Sequence, residues 1–392
     1  MAEAEPKLPL APPTTFADLP EDFQYSILRR NPCKVDRVRI RRPRPRPDPA
    51  IQVLCGCRVH HYLDLIPGWA RCFGSYDGCW VFLHLHYGPV RLHWLHNVRT
   101  GECDYLPSAV VHHYNGYYPV VHSVTILAAA LSSSPADDES SSYDAVFIAA
   151  SWLVPGTAAV DLPRRCVAFW RRGCLWAYRF EAPDVEDVAY RDRDCAFYLL
   201  LTSDDHILVC TPVQPPEGGF SIQIEERRFS PGGRTYDHII RDRYLVMSRE
   251  EVLLVVRFVP ALHQPTSKFR VFQATIRQVP DADANADVFD DLLALYQQFP
   301  WEWSELDTLD GRMLFLGHGC SRSYETGDYP GCEDGIYFFD DGKFYEEEMI
   351  FGGPSNWSYP CRDNGRWSQG LVDLCFPAPG PSNQSPPAWV LP

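Results

Sequence analysis

The sequence predicts an all-β fold, and three observations lead to this prediction. Short runs rich in aromatic and β-branched residues alternate with tight polar turns over most of the chain, as expected for strands joined by hairpins. The 392 residues include 25 Gly and 35 Pro, and 13% are aromatic. The chain contains only four Met. Many short strands joined by hairpins build a sandwich, a barrel or a propeller.

The length of the strand-rich region decides among these architectures. Roughly 330 residues of short strands exceed one ordinary sandwich, whereas repeats of about 40 to 50 residues, the size of a kelch-type blade, build a propeller. No clean repeated motif is visible; the recurring unit is a tight polar turn followed by an aromatic-rich strand. We therefore predict a kelch-like β-propeller of six or seven blades over residues 51–392, preceded by a short α-helical segment.

Two hairpins are the clearest strand predictions. Turn chemistry at 74–78 precedes a strand at 80–85, which pairs with 92–95, and a second hairpin joins 167–170 to 175–178. Further strands are predicted at 185–190, 197–201, 207–210, 244–247, 252–259, 269–276, 313–316, 336–339 and 344–351.

Two inserts interrupt the strand pattern. The Ser/Asp/Glu tract 132–142 is predicted to be a solvated loop. In Asp287–Gln298, Val288, Leu292 and Leu295, followed by Phe299, have helical spacing. This pattern predicts a short helix packed on the body, with a partner-binding motif as the alternative.

Charge and composition narrow the classes of partner. The formal charge of −15 opposes broad binding to nucleic acid or to anionic lipid. No apolar run approaches the roughly 18 to 20 residues of a membrane span, and the N-terminus has no secretory signal pattern. The 14 cysteines are scattered, which favours reduced thiols and an intracellular protein, cytoplasmic or nuclear or both. Partner proteins and small ligands stay open.

The N-terminal residues divide into three segments. Residues 1–17 read as a disordered leader, and residues 18–41 contain a short amphipathic helix that Asp18 caps. Residues 42–50 form an extended linker, because Arg alternates with Pro over residues 42–47 and proline at every second position excludes a helix. A solvated linker is the simplest interpretation; a nuclear-import patch or a docking site for an acidic partner is the alternative.

Several segments, taken in order, resemble the KIB-type β-propeller domain found in many plant F-box proteins. The resemblance covers about residues 51–392 and is most recognisable in the block that begins at residue 314. The segments are RCFGSYDGCW (71–80), LHNVRTG (95–101), LP (106–107), VAFWRRG (167–173), VEDVAY (185–190), VLLVVR (252–257), LFLG (314–317), SRS (321–323), YPGC (329–332), GIYF (335–338) and PAWV (387–390).

The resemblance also implies an F-box, three short helices that dock on the Skp-type adaptor of a cullin ubiquitin ligase. Residues 18–41 are similar to its first two helices, whereas Arg-Pro repeats at 42–47 replace the third, so we expect part of the adaptor-facing apolar surface to be missing. The residues that the resemblance assigns to the adaptor are Leu19, Pro20, Phe23, Ile27, Leu28, Pro32 and Val35.

Catalytic and metal-binding motifs are weak throughout the sequence. There is no His-Glu-x-x-His, Gly-x-Ser-x-Gly or phosphate-loop motif. The acidic run 281–287 resembles a calcium loop but has Ala286 where Gly is needed and Leu292 where Glu is needed. Cys320 and Cys332 flank a loop, and free thiols are expected there. We predict no enzyme, no catalytic residue, no cofactor and no metal site.

Histidines at 84, 86, 93 and 96 cluster on two adjoining strands, downstream of Cys55 and Cys57. A metal pair is one interpretation, because alternate strand residues face the same way. Hydrogen-bonded strand histidines are the interpretation that we adopt.

Three functions remain as hypotheses. The resemblance implies a non-catalytic substrate receptor of a cullin ubiquitin ligase, whose propeller loops hold an unidentified target protein. The second hypothesis is a propeller that has lost the ligase connection and acts as a binding or inhibitory module. The third is an enzyme or sugar binder that uses the central channel of the propeller.

The net charge is unevenly distributed along the chain. Residues 1–50 carry ten basic and seven acidic side chains, a charge of +3, whereas residues 281–348 carry three basic and eighteen acidic ones, a charge of −15. This distribution suggests that a basic partner, or the Arg-Pro linker of the chain itself, is held against the 281–348 surface.

Overall fold

A computed structural model describes most of the chain beyond residue 50. The described residues are 51–55, 58–61, 70–76, 79–87, 90–98, 100–112, 120–135, 143–153, 164–181, 184–213, 221–231, 239–261, 264–278, 293–329, 332–340, 363–373 and 388–390. The segments predicted at 1–17, 18–41 and 42–50 and the strand predicted at 344–351 lie outside them, as does most of the predicted loop 132–142.

The described residues are almost entirely β-structure, which confirms the all-β prediction. The strands, in chain order, are β1 (Ile51–Cys55), β2 (Arg58–His61), β3 (Arg71–Tyr76), β4 (Trp80–Tyr87), β5 (Val90–Asn97), β6 (Cys103–Leu106), β7 (Ala109–His112), β8 (Val120–Leu131), β9 (Asp144–Leu153), β10 (Arg164–Arg171), β11 (Ala177–Phe180), β12 (Val185–Arg191), β13 (Ala196–Leu201), β14 (Ile207–Val213), β15 (Ser221–Arg227), β16 (Ile239–Ser248), β17 (Glu251–Val259), β18 (Lys268–Ile276), β19 (Trp301–Glu305), β20 (Arg312–Phe315), β21 (Arg322–Glu325), β22 (Gly335–Phe338), β23 (Gly365–Ser368), β24 (Leu371–Asp373) and β25 (Ala388–Val390). Short 3-10 turns follow β12 at Asp192–Asp194 and β21 at Thr326–Asp328.

Four sheets have the form of propeller blades. Three are four-stranded antiparallel meanders, β3 to β6, β12 to β15 and β16 to β19, and the fourth is five-stranded with the order β21-β20-β22-β23-β24. The predicted number of six or seven blades is therefore wrong for the part of the chain that the structure describes, which shows four.

The other strands explain why the length argument gave too many blades. Strands β7 to β11 pair in a closed cycle of five, in which β8 and β9 are 12 and 10 residues long. A three-stranded sheet, β2-β1-β25, joins distant parts of the chain through a parallel pairing of β1 with β25. The argument assumed one open meander for every 40 to 50 residues, and these two sheets do not follow that rule.

One strand of each sheet packs on the corresponding strand of the neighbouring sheet, which places these strands at the centre of the molecule. Contacts run from β25 to β3, from β3 to β8, from β8 to β12, from β12 to β16 and from β16 to β21. We call these six the inner strands. Their contacts enclose apolar cores between neighbouring sheets, where Trp80, Trp94, Trp170 and Trp303 are buried, whereas Trp176 is exposed. Burying aromatic area between sheets is a major source of stability.

Two local predictions need correction. Strand β3 continues through Tyr76, so the turn predicted at 74–78 begins later. A helix covers 293–298, but Leu295, predicted to pack on the body, is 40% exposed. Tyr296 makes the helix contact instead, because the guanidinium of Arg277 lies 3.9 Å from its ring centroid.

Among the described residues, no helix has the length and apolar character needed to cross a membrane.

Candidate functional site

A pocket of about 380 Å³ opens at one end of the inner strands. Strands β3, β8, β12 and β16 all end at this pocket, and β21 begins there, so five sheets contribute to its wall. We call it the mouth pocket. Its lining combines Tyr76, Leu131, Tyr190, Met247 and Ser321 with six charged residues, Arg191, Asp192, Arg193, Arg249, Glu250 and Arg322.

Tight turns present most of these charged side chains. After β12, the 3-10 turn closes when the backbone N–H of Cys195 donates to the carbonyl oxygen of Asp192, and Cys195 adopts a left-handed conformation. Between β16 and β17, the turn at Arg249 also has a positive φ, +53°. These turns place their side chains beyond the ends of the strands, in the lining of the mouth pocket.

Two ion pairs fix the arginines that lie near the β12 turn. Arg191 donates to the carboxylate of Asp194 at 3.0 Å and also to the backbone oxygen of Glu250. Arg193 pairs with the Glu250 carboxylate at 2.7 Å, and both side chains are mostly exposed, 65% and 73%. Because Glu250 lies in the neighbouring sheet, these contacts join two blades across the rim of the mouth pocket.

A third pair joins the next two blades. Arg249 donates through both Nε and Nη2 to the carboxylate of Glu325, each at 2.9 Å, and Nη2 also donates to the backbone oxygen of Asp310. This two-point geometry is the strong form of an arginine–carboxylate contact. Beside it, the hydroxyls of Ser248 and Ser323 are hydrogen bonded at 2.8 Å.

Arg322 differs from the other three arginines of the mouth pocket. Its guanidinium lies 5.3 Å from the ring centroid of Tyr76 and donates one hydrogen bond, 3.0 Å long, to the backbone oxygen of Ser321. Among the residues that the structure describes, no carboxylate pairs with it. The remaining N–H groups of Arg322 are therefore available to a ligand in the pocket.

The phenol of Tyr190 completes the polar lining. Burial, followed by the nearby Cys195 thiol, raises the pKa of Tyr190 well above its usual range. The hydroxyl therefore keeps its proton at neutral pH and can donate a hydrogen bond.

Beneath the mouth pocket, Asp187 joins three sheets through backbone hydrogen bonds. Its carboxylate accepts from the N–H groups of Val188, Leu245 and Gly319 at 2.8, 2.8 and 2.7 Å. Burial raises the pKa of Asp187 to about 6, while His318 and the three N–H groups oppose that increase. The carboxylate thus ties β12 to β16 and to the loop after β20.

His318 lies between two buried carboxylates. Its ring nitrogens are 3.9 Å from Asp187 and 3.8 Å from Asp242, and its ring stacks on Tyr244 with 4.8 Å between centroids. Burial opposes ionisation of Asp242, but His318, 3.8 Å away, and the positive charges of Arg257 and Arg241 hold its pKa below the usual value. All four side chains are buried, so this group of ionisable residues has no open face toward a ligand and serves to join the sheets.

The loop that carries Gly319 also sets the position of Arg322. Gly319 has φ +74°, and a Cβ at this residue would lie 2.6 Å from the backbone oxygen of Ala129 in β8. The loop is closed because the Cys320 N–H donates to the carbonyl oxygen of Gly317, and the Ser321 hydroxyl donates to that same oxygen. Close contact with β8 thus places Arg322 at the wall of the mouth pocket.

The site residues predicted from the sequence fall outside this part of the molecule. The seven residues assigned to the adaptor, and the acidic run 281–287, lie outside the described residues. Cys320 is buried and Cys332 is half-buried.

Two histidines of the predicted cluster, His84 and His93, are buried in the core. His84 and His93 stack with 4.7 Å between centroids, and Nε2 of His93 accepts from the Ile126 N–H at 3.1 Å. Burial, with smaller effects of Arg71 and Arg91, lowers the pKa of His93 to about 3. Nδ1 of His96 lies 3.3 Å from the thiol of Cys103, while the side chain of His86 lies outside the described ones. Within the described residues, no three metal-ligating side chains converge.

The sequence did not reveal the mouth pocket. Its residues come from five separate parts of the chain, and their proximity depends on inner strands that run to the same end. The Ser321-Arg322-Ser323 segment was visible only as part of a family-like block.

Comparison with known proteins gives one match. A model of the KIB1-4 beta-propeller family matches residues 58–359. No curated protein matches the chain, and no solved structure does. The matched region covers 302 of the 392 residues and includes the four blades apart from strands β23 and β24. The chain therefore belongs to the KIB1-4 beta-propeller family.

Proposed function

We propose that the chain is a non-catalytic protein-recognition module that holds a target protein at the mouth pocket. The observation that carries this proposal is the convergence of five sheets on one charged pocket. A partner at this position touches several blades at once, whereas the group around His318 is sealed beneath it. Membership of the KIB1-4 beta-propeller family agrees with a protein-interaction module.

The chemistry of the rim supports a protein target. Arg193 and Glu250 are the most exposed charged pair there, and Tyr190, Tyr76 and Met247 lie beside them. Arginine, tyrosine and methionine are enriched in protein interfaces because they combine apolar area with directed hydrogen bonds.

Affinity purification with a matched pair of variants tests the mouth as the binding surface. Arg193→Glu removes a mouth ion pair of 2.7 Å, and Arg228→Glu removes a pair of the same length, with Glu226, next to the outer strand β15. We expect Arg193→Glu to reduce target binding about tenfold or more and Arg228→Glu to leave it unchanged. Equal binding by both variants and by the unmodified chain would show that the mouth is not the target surface.

We further propose that residues 18–41 couple this module to the Skp-type adaptor of a cullin ubiquitin ligase, which would make the chain a substrate receptor. The similarity of these residues to two F-box helices supports the coupling. The Arg-Pro sequence in place of the third helix argues for a weaker contact than a complete F-box makes.

Co-purification with the adaptor separates the receptor from the alternative function. The full chain is compared with a chain lacking residues 1–50, and with Leu19→Asp and Ile27→Asp in the full chain. A receptor loses the adaptor in all three changed proteins, with no change in melting temperature for the two point variants. If the full chain itself does not retain the adaptor, the chain is a binding or inhibitory module without ligase coupling.

A further inference from the structure

We propose that the mouth pocket binds an acidic segment of the target and that a carboxylate or phosphate group of this segment pairs with Arg322. The proposal rests on the protein-recognition function and names the chemistry that the mouth selects. It differs from the expectation, based on the charge of residues 281–348, that the chain holds a basic partner.

The argument begins with the hydrogen-bonding capacity of the four mouth arginines. The guanidiniums of Arg191, Arg193 and Arg249 each have a carboxylate partner within 3.0 Å. Arg322 donates one bond to a backbone carbonyl and has no carboxylate partner among the described residues. A guanidinium has five N–H donors and cannot lose its charge, so an uncompensated one at a pocket wall favours an anionic ligand.

The position of Arg322 is already set before a ligand binds. Its guanidinium lies over Tyr76 at 5.3 Å, and its backbone follows the closed loop that packs against β8. A side chain held on an aromatic ring loses less conformational freedom when it pairs with a ligand. The flat guanidinium then offers two parallel donors to one carboxylate or phosphate.

The charge of the lining points in the same direction. The lining holds four arginines against Asp192 and Glu250, and the carboxylates of Asp194 and Glu325, which pair with Arg191 and Arg249, bring the sum to zero, whereas the whole chain carries −15. An anionic group therefore meets less repulsion at the mouth than over the rest of this acidic chain, and Arg322 supplies the positive charge that it can pair with.

Asp192 is the carboxylate of the lining that most directly opposes an anion. Its carboxylate makes no ion pair with a described residue, and it is exposed at the rim, whereas Arg322 is half-buried in the wall. Solvent weakens the interactions of an exposed charge more than those of a half-buried one. The side chain of Asp192 therefore reduces affinity for an acidic segment without reversing the preference. Removal of its charge is expected to strengthen binding, whereas removal of the Arg322 charge is expected to weaken it.

Fluorescence anisotropy with labelled peptides tests the proposal on the full chain. The probes are octapeptides that alternate Gly with Glu, with phosphoserine, with Lys or with Ser. The variants are Arg322→Gln, Asp192→Asn and, as a matched control next to an outer strand, Arg228→Gln. We expect the Glu or phosphoserine peptide to bind at least tenfold tighter than the Lys and Ser peptides at about 50 mM salt, and to weaken at about 300 mM.

The variants give opposite expected shifts. Arg322→Gln weakens the anionic peptide about tenfold, Asp192→Asn strengthens it severalfold, and Arg228→Gln leaves it unchanged. Both mouth positions are at the pocket surface, and the melting temperature of each variant checks its fold. Comparison of the Glu and phosphoserine peptides identifies which anionic group the pocket takes.

Two results would overturn the proposal. One is an anionic peptide that binds no tighter than the Ser peptide, and the other is an Arg322→Gln variant that binds it as well as the unmodified chain does. If either result occurs while Arg193→Glu still reduces binding of the target protein, the mouth remains the recognition surface and only the acidic preference fails. If Arg193→Glu has no effect on the target either, both proposals fail.

Discussion

Asp187 shows at the scale of one residue how the sheets are joined. One buried carboxylate accepts three backbone N–H groups from β12, from β16 and from the loop before Arg322. A buried N–H without an acceptor costs about 1 to 3 kcal/mol, so this carboxylate stabilises the contact between three sheets. The residue therefore supports the wall of the mouth pocket without touching a ligand.

Replacement of Asp187 by Asn tests that role. The amide keeps one oxygen for Val188 and Gly319 but places an NH₂ group against the Leu245 N–H. We expect the free energy of unfolding to fall by about 2 kcal/mol. Asp204→Asn, at an exposed carboxylate that accepts from Ser203, is the control and is expected to change it by less than about 0.5 kcal/mol. Urea denaturation measures both; equal stability of the two variants would show that Asp187 does not join the sheets.

His93 predicts a dependence of stability on pH. Its pKa falls from 6.5 to about 3 on folding, so the unfolded chain binds a proton between these values and the folded chain does not. The contribution of His93 is complete above pH 6.5 and is lost as the pH falls toward 3. Between pH 7 and pH 5 this loss is about 2 kcal/mol.

Comparison with His93→Gln isolates this effect from other titrating groups. The raised pKa of Asp187 acts in the opposite direction, since its contribution is present below its unfolded pKa and is lost as the pH rises through about 6. Because Asp187 is common to both proteins, the difference between their denaturation curves reports His93. A difference that stays constant from pH 7 to pH 5 would contradict the buried neutral histidine.

At the scale of an element, Gly319 shows why one loop must pass close to one strand. The loop after β20 approaches β8 so closely that a Cβ on Gly319 would overlap the Ala129 backbone, whereas a Cβ on Gly173 meets nothing within 4 Å. Both glycines have positive φ, +74° and +89°. A side chain at either position is therefore strained by the positive φ, but only a side chain at Gly319 also overlaps a neighbouring backbone.

Alanine at these two glycines separates the costs. Gly173→Ala is expected to destabilise by about 1 kcal/mol because of its left-handed conformation alone. Gly319→Ala carries that cost and a backbone overlap, and we expect at least 2 kcal/mol more. The proposed acidic peptide should also bind less tightly to Gly319→Ala, because the loop carries Arg322. Thermal or urea unfolding of the two variants checks this, and equal losses would show that the close approach is unimportant.

Strand positions were largely predictable from the sequence where local chemistry decides them. Strands β12, β13, β17 and β18 lie within a few residues of their predicted positions, because β-branched and aromatic runs end at clear turn residues. The sequence did not predict β8, whose alanine-rich, fully buried end has no alternation of polar and apolar residues. It also did not indicate that Asp187, inside a correctly predicted strand, is a buried junction, because its partners are distant in sequence.

At the scale of the whole molecule, the length of the strand-rich region predicted a propeller but not the number of its blades. A propeller follows from many short hairpins, and membership of the KIB1-4 beta-propeller family agrees with it. The number of blades depends on pairings such as β1 with β25 and the closed cycle of β7 to β11, which no local pattern encodes. The mouth pocket depends on these same long-range pairings, so the candidate site was not predictable from the sequence.

Charge is also organised at this scale. The chain is acidic overall, yet the end of the inner strands presents arginines, of which one has no carboxylate partner among the described residues. Under our proposal, a target is recognised because its anionic group reaches Arg322 in the mouth pocket, and not by negative charge alone. The expected basic partner of the 281–348 segment remains a separate prediction, since much of that segment lies outside the described residues.

Hydrogen exchange measured by mass spectrometry, on the full chain alone and with a protein that it retains on affinity purification, tests the central claim most directly. We predict slower exchange at the turns that form the mouth pocket, residues 192–195, 249–250 and 321–323, and unchanged exchange in the outer strands β6 and β15. Slower exchange in β6 or β15, with an unchanged mouth, would contradict the assignment of the mouth as the recognition surface.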